Sequence, residues 1–346
     1  MLSLHILGGF SMEIKIQPNA RYAVLGSGSW ATAIVKLLTA NLANVGWYVR
    51  EQEFVDSIAS NGRNPQFLTE VEFDVSRLTL YADVNEAVRS SDVLIVVIPS
   101  AFVEVWMQGL TEDLKDKFIV SAVKGILPES NKTVLEYMHD AFGAEFVNMG
   151  IVTGPCHAEE VALKRLSYLT FACKDVDNSR AVARVFAGQF LRPVFSVDIH
   201  GTEYAAVLKN IYAVAAGVCH GLGFGDNFQA VLVSNAHVEI NRFLQKVFPE
   251  QREPAHSAYL GDLLVTCYSQ FSRNRTFGNM IGKGYRVKDA QLEMSMVAEG
   301  YYATKCMHDL NATYKVELPI AEAMYRILYE GANAQKEIAA LTEKLS

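Results

Sequence analysis

The chain has 346 residues, 50% of them hydrophobic and 20% charged, with a formal charge of -7 at neutral pH. That length allows about two domains with ample core. The acidic balance argues against a nucleic-acid surface, so any anion has to be held by local lysines and arginines rather than by the overall field, and small molecules are the expected partners.

Cys156, Cys173, Cys219, Cys267 and Cys306 form no C-x-x-C pair and read as free thiols in a reducing cytoplasm. No stretch approaches the ~18 uninterrupted apolar residues of a membrane span. Residues 1–20 lack a basic leader and read as an extension, with Met1 or Met12 as the start.

Residues 21–25 (RYAVL) are a short β-prone run, followed at once by GSGSWATA and the helical AIVKLLTANLA. Strand, glycine turn and helix in succession open a nucleotide fold. Gly26 permits the tight turn, and Gly28 lets backbone approach a pyrophosphate stabilised by the helix N-terminal N–H groups. Ala31, at the third glycine position, is small enough for close helix-to-strand packing. A lone G-x-G is weak, but the βα context favours a dinucleotide site.

A second strand at 45–49 ends at Arg50 and Glu51. Arg50 suits an NADP 2'-phosphate and Glu51 an NAD ribose hydroxyl, so either cofactor fits, and either side chain could simply be solvated. Strands follow at 78–82, 92–98 and 118–123, with a short helix at 84–89 between the first two. Lys124 comes directly after the strand at 118–123, where open α/β sheets meet their ligands. On position alone an ordinary surface lysine is an equal reading.

Residues 151–153 lead into Gly154-Pro155-Cys156-His157-Ala158-Glu159. The spacing of His157 and Glu159 resembles the H-x-E of zinc deaminases, but no P-C-x-x-C follows, so no metal is expected. Cys156 reads as a small packing residue. Strands at 167–173 and 193–197 flank a helix at 179–190.

From His200 onward the pattern turns to long helices. The reading is an N-terminal extension (1–20), an α/β Rossmann-like dinucleotide-binding domain with a mostly parallel, doubly wound sheet (21–199), and an all-α substrate and catalytic domain (200–346). Within the last, residues 203–217 (EYAAVLKNIYAVAAG) form a buried helix interrupted by Lys209 and Asn210. The helical neighbours of Lys209 are Ala205, Ala206, Tyr212 and Ala213, none a carboxylate. An ammonium there would lose hydration and have its pKa lowered toward neutrality. Composition alone favours a structural lysine that snorkels to water.

GLGFGDN, with Gly221, Gly223 and Gly225, lacks a preceding strand and reads as a helix connection. A surface helix holds residues 238–248. Ser272-Arg273-Asn274-Arg275 concentrate donors for phosphate or carboxylate, and 312–346 reads as a closing amphipathic helix.

Taken in order, GSGSWATA, IPS (98–100), VKG (123–125), TGPCHAEEV (153–161), LKN (208–210), GDL (261–263), TCYSQFSRN (266–274) and VAEG (297–300) resemble the bacterial-type NAD(P)-dependent glycerol-3-phosphate dehydrogenases. The resemblance implies hydride transfer between NAD(P)H and dihydroxyacetone phosphate, giving sn-glycerol 3-phosphate for phospholipid synthesis, in a cytoplasmic homodimer. It assigns dinucleotide contacts to Ser29, Trp30, Arg50, Lys124, Ala158, Arg273, Val297 and Glu299. It assigns substrate contacts to Lys124, Gly154, Cys156, Lys209, Asp262, Ser272, Arg273 and Asn274, with Lys209 the proton-transferring lysine. Departures are Ala31 for Gly, Cys156 for Ser, Leu68-Thr69 for Leu-Pro, the lack of an arginine near Asn235, and HSAYL in place of a Gly-rich approach to GDL.

The chemistry asks for the same residue types. Lys209 would protonate the developing alkoxide. Asn210 would orient the substrate, Asp262 and Thr266 would position the Lys209 amine, and Lys124 would add positive charge near the reacting oxygens. Arg273 and Asn274 would hold the phosphate. The competing readings are another Lys-Asn β-hydroxyacid-type dehydrogenase and a non-catalytic dinucleotide sensor.

Overall fold

The computed structural model describes residues 13–294 and 296–346, so the choice between Met1 and Met12 lies outside the described residues. Strands β1 (Tyr22–Leu25), β2 (Val45–Tyr48), β3 (Leu78–Tyr81), β4 (Val93–Val96), β5 (Phe118–Ser121), β6 (Met149–Thr153), β7 (Ser167–Cys173) and β8 (Leu191–Ser196) form one sheet. Their order is β3-β2-β1-β4-β5-β6-β7-β8. Every pairing is parallel except β6 with β7. The central strands are buried on both faces, which is why β4 reads VLIV without alternation.

Helices α1 (Ser29–Asn41), α2 (Gln52–Asn61), α3 (Val84–Arg89), α4 (Ser100–Met107), α5 (Val134–Phe142), α6 (Ala158–Ala162) and α7 (Val176–Phe186) flank the sheet. One core joins Ile34 of α1 and Val182 of α7 to Trp47 and Phe171. The other joins Ala87, Val103 and Met138 of α3, α4 and α5 to Leu94 and Ile119. The helix expected at 179–190 begins earlier, because the Asp175 side chain accepts from the Asp177 N–H and caps α7, and it also ends earlier, at Phe186.

Beyond Ser196 the chain is helical: α8 (Ile199–Gly221), α9 (Asp226–Val247), α10 (Asp262–Tyr268), α11 (Arg273–Gly282), α12 (Val287–Glu293), α13 (Glu299–Tyr314), α14 (Pro319–Tyr329) and α15 (Ala334–Thr342). The nearly fully buried α8 is the axis, with α9, α10, α11, α13 and α14 packed on it. It crosses α11 with backbones in contact, since a Cβ at Gly217, Gly221, Gly278 or Gly282 would strike opposing main chain.

Two expectations need correction. The segment at 238–248 is the second half of α9, and its Ile240, Phe243 and Leu244 belong to the core. The single closing helix expected over 312–346 is broken into the end of α13, then α14 and α15. Lys315 ends α13 in a left-handed conformation, Pro319 opens α14, and Gly331 turns with φ +71°. No helix among the described residues is long and apolar enough to cross a membrane.

Candidate active site

The turn between β1 and α1 is shaped to leave space. Gly26 has φ +132°, and a Cβ there would lie 2.6 Å from the Val97 carbonyl oxygen, so only glycine fits. At Gly28 nothing lies within 4 Å of a Cβ position, which leaves the N-terminus of α1 open to an anion. Trp47 donates its indole N–H to the Gly26 carbonyl at 2.7 Å. Buried Asn64 donates to the Ser27 carbonyl (2.8 Å) and to Thr32 Oγ1 (2.9 Å). These residues fit a dinucleotide pyrophosphate. Asn64 is a support that periodicity cannot reveal, because it lies in an irregular loop after α2.

A cavity of about 550 Å³ runs from this turn to the helical half of the molecule. Gly28, Ser29, Trp30, Ala158, Val297 and Glu299 line it together with Lys124, Cys156, Lys209, Asn210, Thr266, Ser272, Arg273 and Asn274. Asp262, Gly154 and Gly26 stand behind the wall. Arg50 does not line the cavity; it is exposed one residue after Val49 and makes no ion pair among the described residues.

Lys209 is mid-helix and only 3% exposed, so it does not snorkel. Its partner comes from α10, which a π-helical turn (Ser257–Gly261) introduces. The Lys209 amine contacts Asp262 Oδ1. Lys124 Nζ lies 3.6 Å from Asp262 Oδ2 and donates to the Gly154 carbonyl at 3.0 Å. Thr153 Oγ1 donates to the same Oδ2 at 3.2 Å. One buried carboxylate thus faces two ammonium groups.

Burial pushes the Lys209 pKa down to about 8; Asp262 works against that fall and Lys124 adds to it. Burial opposes charge on Asp262 as well, but the two lysines outweigh it and hold the carboxyl below its usual range. At Lys124 burial is likewise outweighed, chiefly by Asp262, and the pKa is raised. Of the two ammonium groups, Lys209 is the one that releases a proton near neutrality.

Thr266 donates its hydroxyl to the Asp262 main-chain carbonyl at 2.5 Å rather than to the Lys209 amine. Asn210 donates to the Lys124 carbonyl and to Ala206 (3.2 Å), and accepts from Asn274 at 2.8 Å. Asn274 in turn accepts from the Gly300 N–H at 2.9 Å. The two carboxamides therefore clamp Lys124, α8, α11 and α13 together while both still line the cavity.

Arg273 lines the cavity with no hydrogen bond among the described residues. Burial lowers its pKa, with Glu159 and Glu299 opposing. Ser272 caps α11 by accepting from the Arg275 N–H at 3.3 Å. Glu299 accepts from the Ser100 N–H (2.9 Å) and from its hydroxyl, fastening α13 to the start of α4. Burial raises the Cys156 pKa, and its sulfur lies 3.8 Å from Lys124 Nζ. His157, beyond the expected set, also lines the cavity, and burial pushes its pKa down to about 4.

Residues 21–179 match the N-terminus, and residues 198–339 the C-terminus, of the family described as NAD-dependent glycerol-3-phosphate dehydrogenase. A glycerol-3-phosphate dehydrogenase [NAD(P)+] of Exiguobacterium sp. is 36% identical over 94% of this chain and 96% of its own length. That of Bacillus velezensis is 34% identical over 94% of each. The crystal structure of the Coxiella burnetii glycerol-3-phosphate dehydrogenase superposes with a TM-score of 0.86 at 30% identity, covering 94% of this chain and all of that one. With both halves matched and relatives similar along nearly the whole length, the chain belongs to the NAD-dependent glycerol-3-phosphate dehydrogenase family.

Proposed function

We propose that the protein interconverts dihydroxyacetone phosphate and sn-glycerol 3-phosphate using NADH or NADPH. The observation that carries this reading is the Lys209–Asp262–Lys124 cluster at the wall of a cavity whose other end is the glycine turn. The dinucleotide, when bound, supplies or accepts the hydride. The protonated Lys209 amine donates a proton to the oxygen of the reduced carbonyl, and its neutral form takes that proton back in the oxidative direction. Asp262 holds the amine in place, and Lys124 adds fixed positive charge at the reacting oxygens. Arg273, without another hydrogen bond among the described residues, and the first turn of α11 bind the phosphate. Asn210 and Asn274 act by holding these groups in register.

Arg50, exposed beyond β2, is the residue we assign to a 2'-phosphate. The division at residues 199 and 200 separates the dinucleotide-binding part from the substrate part. The free cysteines accord with a cytoplasmic enzyme, and a homodimer serving phospholipid synthesis rests on the family resemblance alone.

Steady-state oxidation of NADH and NADPH with dihydroxyacetone phosphate, set beside 2-keto and 3-keto acids, tests the reading. Oxidation dependent on the phosphorylated ketone is expected, and its absence with both cofactors sinks the proposal. In the same assay Arg50→Ala should impair NADPH use more than NADH use; equal effects remove Arg50 from cofactor choice.

A further inference from the structure

The turn that follows β6 addresses both partners of the catalytic cluster. Thr153 is 1% exposed, and its hydroxyl donates to Asp262 Oδ2 at 3.2 Å. The next residue, Gly154, has φ +128° and turns its carbonyl to Lys124 Nζ at 3.0 Å. Lys124 stays 3.6 Å from Oδ2, well beyond the ~2.8 Å of a tight charge-assisted hydrogen bond. Lys209 contacts the other oxygen, Oδ1. The carboxylate is thereby apportioned: one oxygen serves Lys209, and the other is held by a neutral hydroxyl with Lys124 at arm's length.

We propose that Thr153 is a positioning residue for proton transfer, whose hydroxyl keeps Lys124 from capturing Asp262 and so preserves the pairing of Asp262 with Lys209. This rests on the dehydrogenase reading above. Thr153 comes from the sheet and Asp262 from the helical half, so the bond also fixes the two halves relative to each other at the site of proton transfer. Without the hydroxyl, Lys124 closes on Oδ2 and brings a second positive charge nearer Lys209. Lys209 then releases its proton at lower pH.

Among the described residues, the other titratable groups facing the cluster are Cys156 and His157, after β6, and Cys267 on α10. Burial raises the Cys156 pKa and pushes that of Cys267 up to about 12. His157, at about 4, stays neutral. Burial thus moves each of them away from the window where Lys209 titrates.

The test compares wild type, Thr153→Val and Thr153→Ser. Valine keeps the shape and removes the donor, whereas serine keeps the donor. The pH profile of kcat for ketone reduction should lose its alkaline limb roughly half a unit to one unit earlier in Thr153→Val, the size of one hydrogen bond, and Thr153→Ser should restore it. An unmoved limb with a uniformly lower kcat, or failure of serine to restore the limb, overturns the proposal. Should valine prevent folding, Thr153→Ala is read the same way. A lysine side-chain NMR titration, with Lys209→Met identifying the Lys209 signal, reads the same shift in protein that turns over no substrate. An inactive wild type with a shifted lysine titration would therefore refute the dehydrogenase reading and keep the hydroxyl's role, and an active wild type with an unshifted one would do the reverse.

Discussion

Replacing Gly300 with alanine isolates how finely the helical half must be set. Gly300 lies in the first turn of α13, and a Cβ there would sit 2.5 Å from the Asn210 carbonyl oxygen and 2.7 Å from Val214 Cγ2. An ordinary carbon-to-oxygen contact is about 3.3 Å or more, so α13 and α8 must part by roughly 0.8 Å. Either movement disturbs the site. Shifting α13 draws Glu299 from Ser100 and the Gly300 N–H from Asn274; shifting α8 displaces Lys209 and Asn210. Overpacking costs about 1–3 kcal/mol, and the better helix propensity of alanine offsets about 1 kcal/mol of it. Stability should therefore fall by no more than about 2 kcal/mol, while kcat/KM drops ~10-fold to 100-fold, the scale attached to displacements near 1 Å. Steady-state kinetics and urea denaturation measure the two effects, with Gly109→Ala as control because nothing lies within 4 Å of its Cβ position. A Gly300→Ala protein with kcat/KM within twofold of the parent would refute the claim that this contact sets the geometry.

Lys209→Met should lower turnover by ~10²-fold or more while leaving NADH binding by fluorescence titration nearly intact; unchanged turnover removes Lys209 from the proton step. In the parent enzyme, ketone reduction should decline above about pH 8, where Lys209 loses its proton, and a rate still level at pH 9.5 contradicts that. Glu203 supplies a prediction about stability. Burial pushes its pKa up from the usual 4.5 to about 8, and its Oε2 is buried without a hydrogen-bond partner among the described residues. The folded protein binds this proton more tightly than the unfolded chain, so the stabilisation is complete below pH 4.5 and is lost as pH rises through about 8. Between pH 6 and 9 the parent should lose on the order of 2 to 3 kcal/mol more than Glu203→Gln. Parallel urea midpoints for the two proteins would argue that Glu203 is not protonated at pH 6.

The glycine turn and the parallel strands were legible because their signals are local: GSGSWATA announces itself within eight residues, and VLIV needs no distant partner to be recognised. The surroundings of Lys209 were not local. Its helical neighbours are apolar, so sequence spacing made it look unpaired, whereas its carboxylate arrives from α10 after a π-helical turn. Chemistry and resemblance pointed to Asp262; periodicity did not. Asn210 and Asn274 were expected at the substrate, but which partners satisfy a carboxamide is decided by how helices cross. The tight α8–α11 contact gives both groups protein partners in addition to their place on the cavity wall. Thr153 gave no separate signal, since a threonine ending a strand has no distinctive spacing. The broken C-terminal helix was more readable than the single-helix expectation allowed, because Pro319 and Gly331 stand in the sequence as stops.

Among the described residues β8 is the last strand of the sheet, and its one strand partner is β7. The Ser167 N–H bonds the Phe190 carbonyl, and in the parallel register that follows, Leu191, Pro193 and Phe195 turn their main-chain groups away from β7. The central one of these outward positions is a proline, which has no N–H to offer. A stray strand approaching this border meets an interrupted row of donors, beside apolar Phe195 and Val197 that are 41% and 55% exposed. Pro193 thus leaves a gap in the row of donors that strand recruitment needs, and valine in its place would complete that row along the border of the sheet.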